Sequence, residues 1–256
     1  MKTLDMVFRP IIRITFPILS LFIAFSMLAF QHNNREEQSN EKQIQNGVNV
    51  VELFTSQGCS SCPPADALLS EVKDDENVIA LSYHVDYWNY LGWKDPYSKK
   101  EYSAYQRDYA TELNSGVYTP QMVVNGNKEF VGSREKTLKN SLINKSNVTA
   151  LPAPIVTKKN TSVDFSYALN EVKDFDRAYA LLLIDDETTA VAKGENARKQ
   201  LRNTNVVIQR MAIDKNTPNG TQSFQIETNS KTDYKVAIIV QDKDLEILAA
   251  GISITG

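Results

Sequence analysis

Basic and apolar positions are segregated at the start of the chain: Lys2, Arg9 and Arg13 precede an apolar run from Ile14 to Phe30, and polar Gln31 to Glu37 follow. Positive charge ahead of an apolar stretch holds the N-terminus in the cytoplasm while later residues are translocated, so residues 1–30 predict an export signal. The predicted location is periplasmic or secreted. The 17 residues of the run lie at the lower limit for a spanning helix. Ala24-Phe25-Ser26 offers a small-x-small cleavage site, so the segment reads as a cleaved signal peptide or a retained signal anchor. Residues 31–47 are rich in Asn, Gln and Glu and nearly devoid of apolar side chains, which predicts a flexible tether.

The pattern then changes to short apolar runs. Val48–Thr55 is β-branched and aromatic and reads as a buried strand, broken by Ser56-Gln57-Gly58. Pro63-Pro64 pre-sets the first turn of a helix, where missing N–H groups cost nothing, and apolar residues three and four apart continue it to Val72. Asn77–Val85 is a second strand, and the spacing of Tyr102, Tyr105 and Tyr109 predicts a helix over Ser98–Leu113. Tyr118–Gly126 and Lys128–Gly132 flank Asn125-Gly126 as a hairpin, and Arg134–Lys145 supplies a last helix. The resulting order over residues 48–148 is βαβαββα, an α/β arrangement.

Leu151-Pro152-Ala153-Pro154 interrupts the pattern and predicts a domain boundary. Residues 153–256 then carry strand patterns at Ser162–Ala168, Ala178–Ile184, Asn205–Ile213, Thr221–Thr228, Tyr234–Val240 and Glu246–Ile254. Turn residues separate them, which predicts a mostly antiparallel, sandwich-like β module. Gly194–Leu201 reads as a short helix between strands.

Composition narrows the function. A net charge of −3 provides no basic field to hold a nucleic-acid backbone, so nucleic acid is not an expected partner. The membrane enters only through the N-terminal segment, if it is retained. The chain has two cysteines, both in Cys59-Ser60-Ser61-Cys62, too few for a disulfide framework. Two adjacent thiols suggest chemistry. A helix N-terminus lowers a thiol's pKa through free N–H groups and the positive end of the dipole, so Cys59 reads as the nucleophile. Cys62, one turn on, can attack a mixed disulfide and resolve it. Structural zinc requires four Cys or His ligands, and His32 and His84 are the only histidines, one of them in the tether. No metal or other cofactor is therefore expected, and a plain structural disulfide stays open as the alternative.

Three further positions bear on the redox reading. Thr119-Pro120 follows a helix and precedes a strand, where a cis-proline loop would offer the backbone of Thr119 to a bound peptide. Glu52, seven residues before Cys59, could accept the proton of the resolving thiol if its side chain faces inward; the alternative is an ordinary solvent-facing residue. His84, at the end of the second strand and followed by Asp86, Tyr87, Trp88, Tyr90 and Trp93, is either an auxiliary to the thiols or a packed side chain.

Val51–Asp66, His84–Tyr97 and Val117–Gly126 together resemble a bacterial family of secreted thioredoxin-like proteins filed as a domain of unknown function. The resemblance runs from about Val48 to the C-terminus and includes Gly194-Glu195-Asn196. It implies a thioredoxin-like fold, export, a redox pair at Cys59 and Cys62, and a proline loop at Thr119-Pro120; it implies no substrate. The chain departs from ordinary thioredoxin in its Ser-Ser spacer, in a longer loop after His84, and in Gly58, where an aromatic residue usually precedes the first cysteine. The expected function is an extracytoplasmic thiol-disulfide oxidoreductase whose partners are protein or small-molecule thiols and disulfides. The alternatives are a copper-binding or copper-delivery protein using both thiolates and His84, and a non-catalytic binding module with a locked disulfide.

Overall fold

The computed structural model describes residues 47–143, 146–228 and 230–254. The expected signal and nearly all of the tether, residues 1–46, lie outside the described residues, as do residues 144–145 at the expected end of the last helix.

Strand β1 (Asn49–Thr55) is buried along its whole length. It leads through a turn into helix α1 (Pro63–Val72), whose prolines occupy the first turn. Strand β2 (Val78–His84) pairs parallel with β1, and helix α2 (Lys100–Glu112) follows. Strands β3 (Gln121–Val124) and β4 (Lys128–Val131) form a hairpin, and β3 pairs antiparallel with β1. The turn residues Asn125 and Gly126 have φ of 53° and 74°, the left-handed pair a two-residue hairpin turn requires. Helix α3 (Glu135–Ile143) completes this half.

Alternation along β1 decides what each face meets. Val51 and Leu53 join Ala65, Leu68 and Leu69 of α1 and Leu138 of α3, while Val50 and Phe54 join Tyr102, Tyr105 and Tyr109 of α2. The first half is thus a mixed sheet with helices on both faces.

The remaining strands are β5 (Thr149–Ala150), β6 (Val156–Lys158), β7 (Ser162–Ala168), β8 (Arg177–Ala190), β9 (Gln200–Ala212), β10 (Asn219–Gln225), β11 (Tyr234–Gln241) and β12 (Ile247–Ile252). Here the structure departs from the expected separate module. One sheet of nine strands runs β4-β3-β1-β2-β9-β8-β11-β12-β5, joined across the halves where Ser82 of β2 pairs with Val206 of β9. A second sheet, β10-β7-β6, stacks Phe165 and Phe224 on Leu182, Ile238 and Val240, so the two-layer character is present but one layer is shared with the first half. The reason can be read in β8: Ala178 and Ala180–Ile184 are buried, with five consecutive buried positions. That is the pattern of a strand covered on both faces, not of one with a solvated face.

Phe54, Leu81 and Tyr83 share one core with Leu181, Leu183, Val207 and Ile239, and the described residues form one compact unit. The short helix expected at Gly194–Leu201 is instead a turn-rich loop leading into β9, with Gly194 at φ 79° and Arg198 at φ 68°. Both values are left-handed and interrupt helical continuation.

Candidate functional site

The site forms where β1 ends and α1 begins. The N–H of Cys59 donates to the carbonyl of Ser56 (3.1 Å), and the N–H of Gly58 donates to Ser56 Oγ (3.1 Å), closing a tight turn. Cys62 caps α1, its carbonyl accepting from Ala65 and Asp66 at 2.8 and 3.1 Å. Cys59 and Cys62 are joined as a disulfide with Cα atoms 5.5 Å apart. Ser60 and Ser61 between them are exposed, whereas Cys59 is 1% and Cys62 0% exposed.

The proline loop faces this turn. The Thr119–Pro120 peptide is cis, and Ser61 Oγ donates to the carbonyl of Thr119 at 3.5 Å. Gly132 makes the approach possible: a Cβ there would stand 3.2 Å from Pro120 Cβ, 3.1 Å from Ala65 Cβ and 2.9 Å from Leu53 Cδ1. Trp88 touches both segments. A Cβ on Gly58 would lie 3.0 Å from Trp88 Cβ, and the indole Nε1 donates to Thr119 Oγ1 at 2.7 Å. Glycine in place of the usual aromatic before the first cysteine therefore leaves room for a tryptophan from the loop after His84.

Behind the disulfide lies a buried acid-base cluster. His84 Nδ1 and Asp95 Oδ2 are 2.7 Å apart, both side chains fully buried. Asp95 also accepts the N–H of Gln57 at 2.8 Å and of Tyr97 at 3.0 Å, tying the loop after β2 to the turn before Cys59. Burial alone would lower the pKa of His84, but the charge and hydrogen bond of Asp95 outweigh it and hold it above the ordinary value. Burial acts to raise Asp95, and the charge and hydrogen bond of His84 with the two N–H donors outweigh it, so its carboxyl lies below the usual range. Both shifts favour the charged form of each partner. Asp66, four residues after Cys62 and so one helical turn along α1, is 6% exposed. Burial pushes its carboxyl up to about 7, against the opposing influence of His84, Thr55 and Asn203. Asp66 Oδ1, Thr55 Oγ1 and His84 Nε2 are buried and meet no hydrogen-bond partner within normal distance among the described residues. Asp66 also lines a groove of about 500 Å³ bounded by Pro63, Ala67, Ser70 and Arg202.

Glu52 is not part of this cluster, which corrects its expected role as proton acceptor. It is fully buried, but its carboxylate accepts from Tyr109 at 2.6 Å and Tyr105 at 3.1 Å. Those residues belong to α2, on the face of β1 opposite α1. Gln241 of β11 donates to both tyrosine hydroxyls, and Arg210 of β9 stacks on the rings of Tyr105 and Tyr179. Glu52 is thus the centre of a polar network joining the two halves.

The second half also reaches the cysteine turn. Gln57 Nε2 donates to Thr189 Oγ1 and Asn203 Oδ1 at 2.9 and 3.2 Å, and Trp93 Nε1 donates to Gln57 Oε1 at 3.1 Å. Asn196, fully buried, donates to the carbonyls of Gln57 and Cys59 at 3.0 and 2.9 Å, and Glu195 Oε2 accepts the N–H of Ser60 at 3.1 Å. Of the residues expected from sequence, Cys59, Cys62, Thr119 and Pro120 come together, His84 stands behind them through Asp95 and Asp66, and Glu52 stands apart. Sequence reasoning gave no role to Asp66, Asp95, Gln57, Glu195 and Asn196, although all five lie in the segments that carry the family resemblance; Asp66 had a further signal, its helical spacing from Cys62. Among the described residues no group of three or more His, Cys, Asp or Glu side chains is arranged to hold a metal ion.

Fold and site together define a mixed α/β protein with a large sheet, few helices and a Cys-x-x-Cys disulfide at the start of a helix. Residues 50–241 match the model of the family described as protein of unknown function (DUF1223), and the chain belongs to that family. It is similar to a protein of Agrobacterium tumefaciens solved by X-ray crystallography, with 27% identity, a TM-score of 0.62, and 83% of this chain and 96% of that one covered. It is also similar to HBP35 of Porphyromonas gingivalis, with 16% identity, a TM-score of 0.51, and 81% and 75% covered, a likeness of fold alone. No curated protein matches the sequence.

Proposed function

We propose that the protein is an exported thiol-disulfide oxidoreductase whose first half has a thioredoxin-like fold. The observation that carries this reading is the convergence of the Cys59–Cys62 disulfide at the N-terminus of α1 with the cis Thr119–Pro120 loop. Such a site offers a thiol activated by a helix terminus beside a backbone edge that can hold an extended substrate. Export rests on the basic and apolar pattern of residues 1–30.

The exchange runs in two balanced steps. In the reduced protein the Cys59 thiolate attacks a substrate disulfide, forming a mixed disulfide and expelling one substrate thiolate. The Cys62 thiol then passes its proton to Asp66 and its sulfur attacks Cys59 Sγ, expelling the second substrate thiolate and restoring the protein disulfide. Two electrons pass from the dithiol to the substrate, and the reverse sequence oxidises a substrate dithiol. A carboxyl of pKa about 7 can both take and return a proton at neutral pH, which suits Asp66 to that step. His84 and Asp95 stand behind it as a hydrogen-bonded pair. Cys62→Ser is expected to trap a mixed disulfide on Cys59, read by non-reducing electrophoresis and mass spectrometry. Trapping through Cys62 in Cys59→Ser instead would overturn the assigned roles.

One observation favours a second reading, a binding module with a closed disulfide: Cys59 is only 1% exposed. A pair that thiol buffers cannot reduce in the folded protein would select that reading.

A further inference from the structure

We infer that Glu195, on the loop between β8 and β9, lowers the reduction potential of the Cys59–Cys62 couple, so that the second half of the chain tunes the chemistry of the first. The inference builds on the reading of this pair as a redox couple.

Glu195 is exposed, but its place over the cysteine turn is fixed by its neighbours. Its neighbour Asn196 is fully buried and clamps the carbonyls of Gln57 and Cys59, while Lys199 Nζ donates to Asn196 Oδ1 at 2.9 Å. Gly194 lets the loop turn at φ 79° against Trp93, whose Cβ would be 3.3 Å from a Cβ at that position. The loop is thereby fixed to the cysteine turn from beneath. The carboxylate of Glu195 then meets the N–H of Ser60, the residue directly after Cys59, at 3.1 Å.

That N–H is one of the donors at the approach to α1 that would otherwise stabilise a thiolate on Cys59. Glu195 takes it and sets a negative charge one residue from Cys59. Ser61 Oγ, 3.3 Å from Cys59 Sγ, remains as a hydroxyl donor. In the disulfide state Sγ bears no charge and the carboxylate costs nothing there. In the dithiol state the carboxylate opposes the thiolate, so Glu195 favours the disulfide. The couple is balanced as protein disulfide plus two reduced glutathiones giving protein dithiol plus oxidised glutathione, two electrons and two protons passing to the protein.

Glu195→Gln removes the charge while its Oε1 can still accept from Ser60 N–H, so the loop stays anchored. Wild type and variant are equilibrated in parallel in glutathione and in dithiothreitol redox buffers, then alkylated for mass readout. The expected result is an increase of about threefold in the equilibrium constant for reduction, about 15 mV on a scale where tenfold is about 30 mV, with faster alkylation of reduced Cys59 at slightly acid pH. Coincident curves for the two proteins would overturn the inference. A wild-type pair reduced only by dithiothreitol would remove the oxidoreductase reading and leave this comparison intact, because dithiothreitol buffers reach lower potentials and the shift between proteins is read there.

Discussion

His84 Nδ1 and Asp95 Oδ2 stand 2.7 Å apart with both side chains wholly buried, and Asp66 shares their cluster from the helix that begins at Cys62. Asp66 is neutral well below pH 7 and ionises above it, which adds a buried negative charge to the cluster. The raised pKa of Asp66, about 7 against 3.8, means that ionisation costs nothing below the lower value and costs progressively more up to the higher one. Stability is therefore expected to fall by about 2.5 kcal/mol from Asp66 alone between about pH 5 and about pH 8. The raised pKa of His84 acts in the same direction, its stabilisation being lost as pH rises through its folded value. Asp95, held low, contributes stability that is lost only as pH falls into the acid range. Urea unfolding of Asp66→Asn should show a flatter pH profile and greater stability than wild type at about pH 8. An unchanged slope would remove Asp66 from the cluster.

Trp88 packs against Gly58, the residue before Cys59, and bonds Thr119 of the proline loop, and Cys59 is 1% exposed. Trp88→Ala removes one hydrogen bond and the apolar cover, so the rate at which dithiothreitol reduces the folded protein should rise about tenfold, the equivalent of about 1.4 kcal/mol in opening. A timed alkylation assay reads this directly. An unaltered rate would mean that another element limits access.

Glu52 is a structural residue on this account. Glu52→Ala removes the acceptor of two buried tyrosine hydroxyls and a carboxylate whose charge acts on buried Arg210, and is expected to cost about 3 kcal/mol or more in urea unfolding. The potential of the cysteine pair should stay where it is in the folded variant. A shift in potential with intact stability would restore Glu52 to the redox site.

Gly132 occupies a place that a methyl group would overfill from three sides, against Leu53, Ala65 and Pro120. Gly132→Ala should cost about 2 kcal/mol and disturb the proline loop, slowing substrate exchange more than reduction by small thiols. Chemical denaturation and paired kinetic assays with a peptide disulfide and a small disulfide check both parts.

The elements nearest the cysteines were legible because local chemistry dictates them. Pro63-Pro64 starts a helix regardless of context, and Asn125-Gly126 turns a hairpin by its own backbone preferences. The face on which Glu52 lies was not legible, since alternation fixes only that Glu52 and Phe54 agree, not which helix covers them. The polar ends of β8 and β9, Asp185–Ala190 and Gln200–Thr204, were hidden because they carry no apolar run: the buried positions there include Asn203 and Thr204. Asp95, Glu195 and Asn196 reach the cysteine turn from loops far along the chain, and no local pattern announces a contact of that range. The junction of β2 with β9 escaped for the same reason, although consecutive buried positions in β8 already implied two covered faces.

The most direct test of the central claim is the equilibrium reduction potential of the Cys59–Cys62 pair in the folded protein, by alkylation and mass readout across glutathione ratios. A reversible midpoint between about −120 and −270 mV is the predicted result and places the pair among exchange couples. A bond that remains oxidised below about −300 mV would contradict the oxidoreductase account and make the disulfide a structural one.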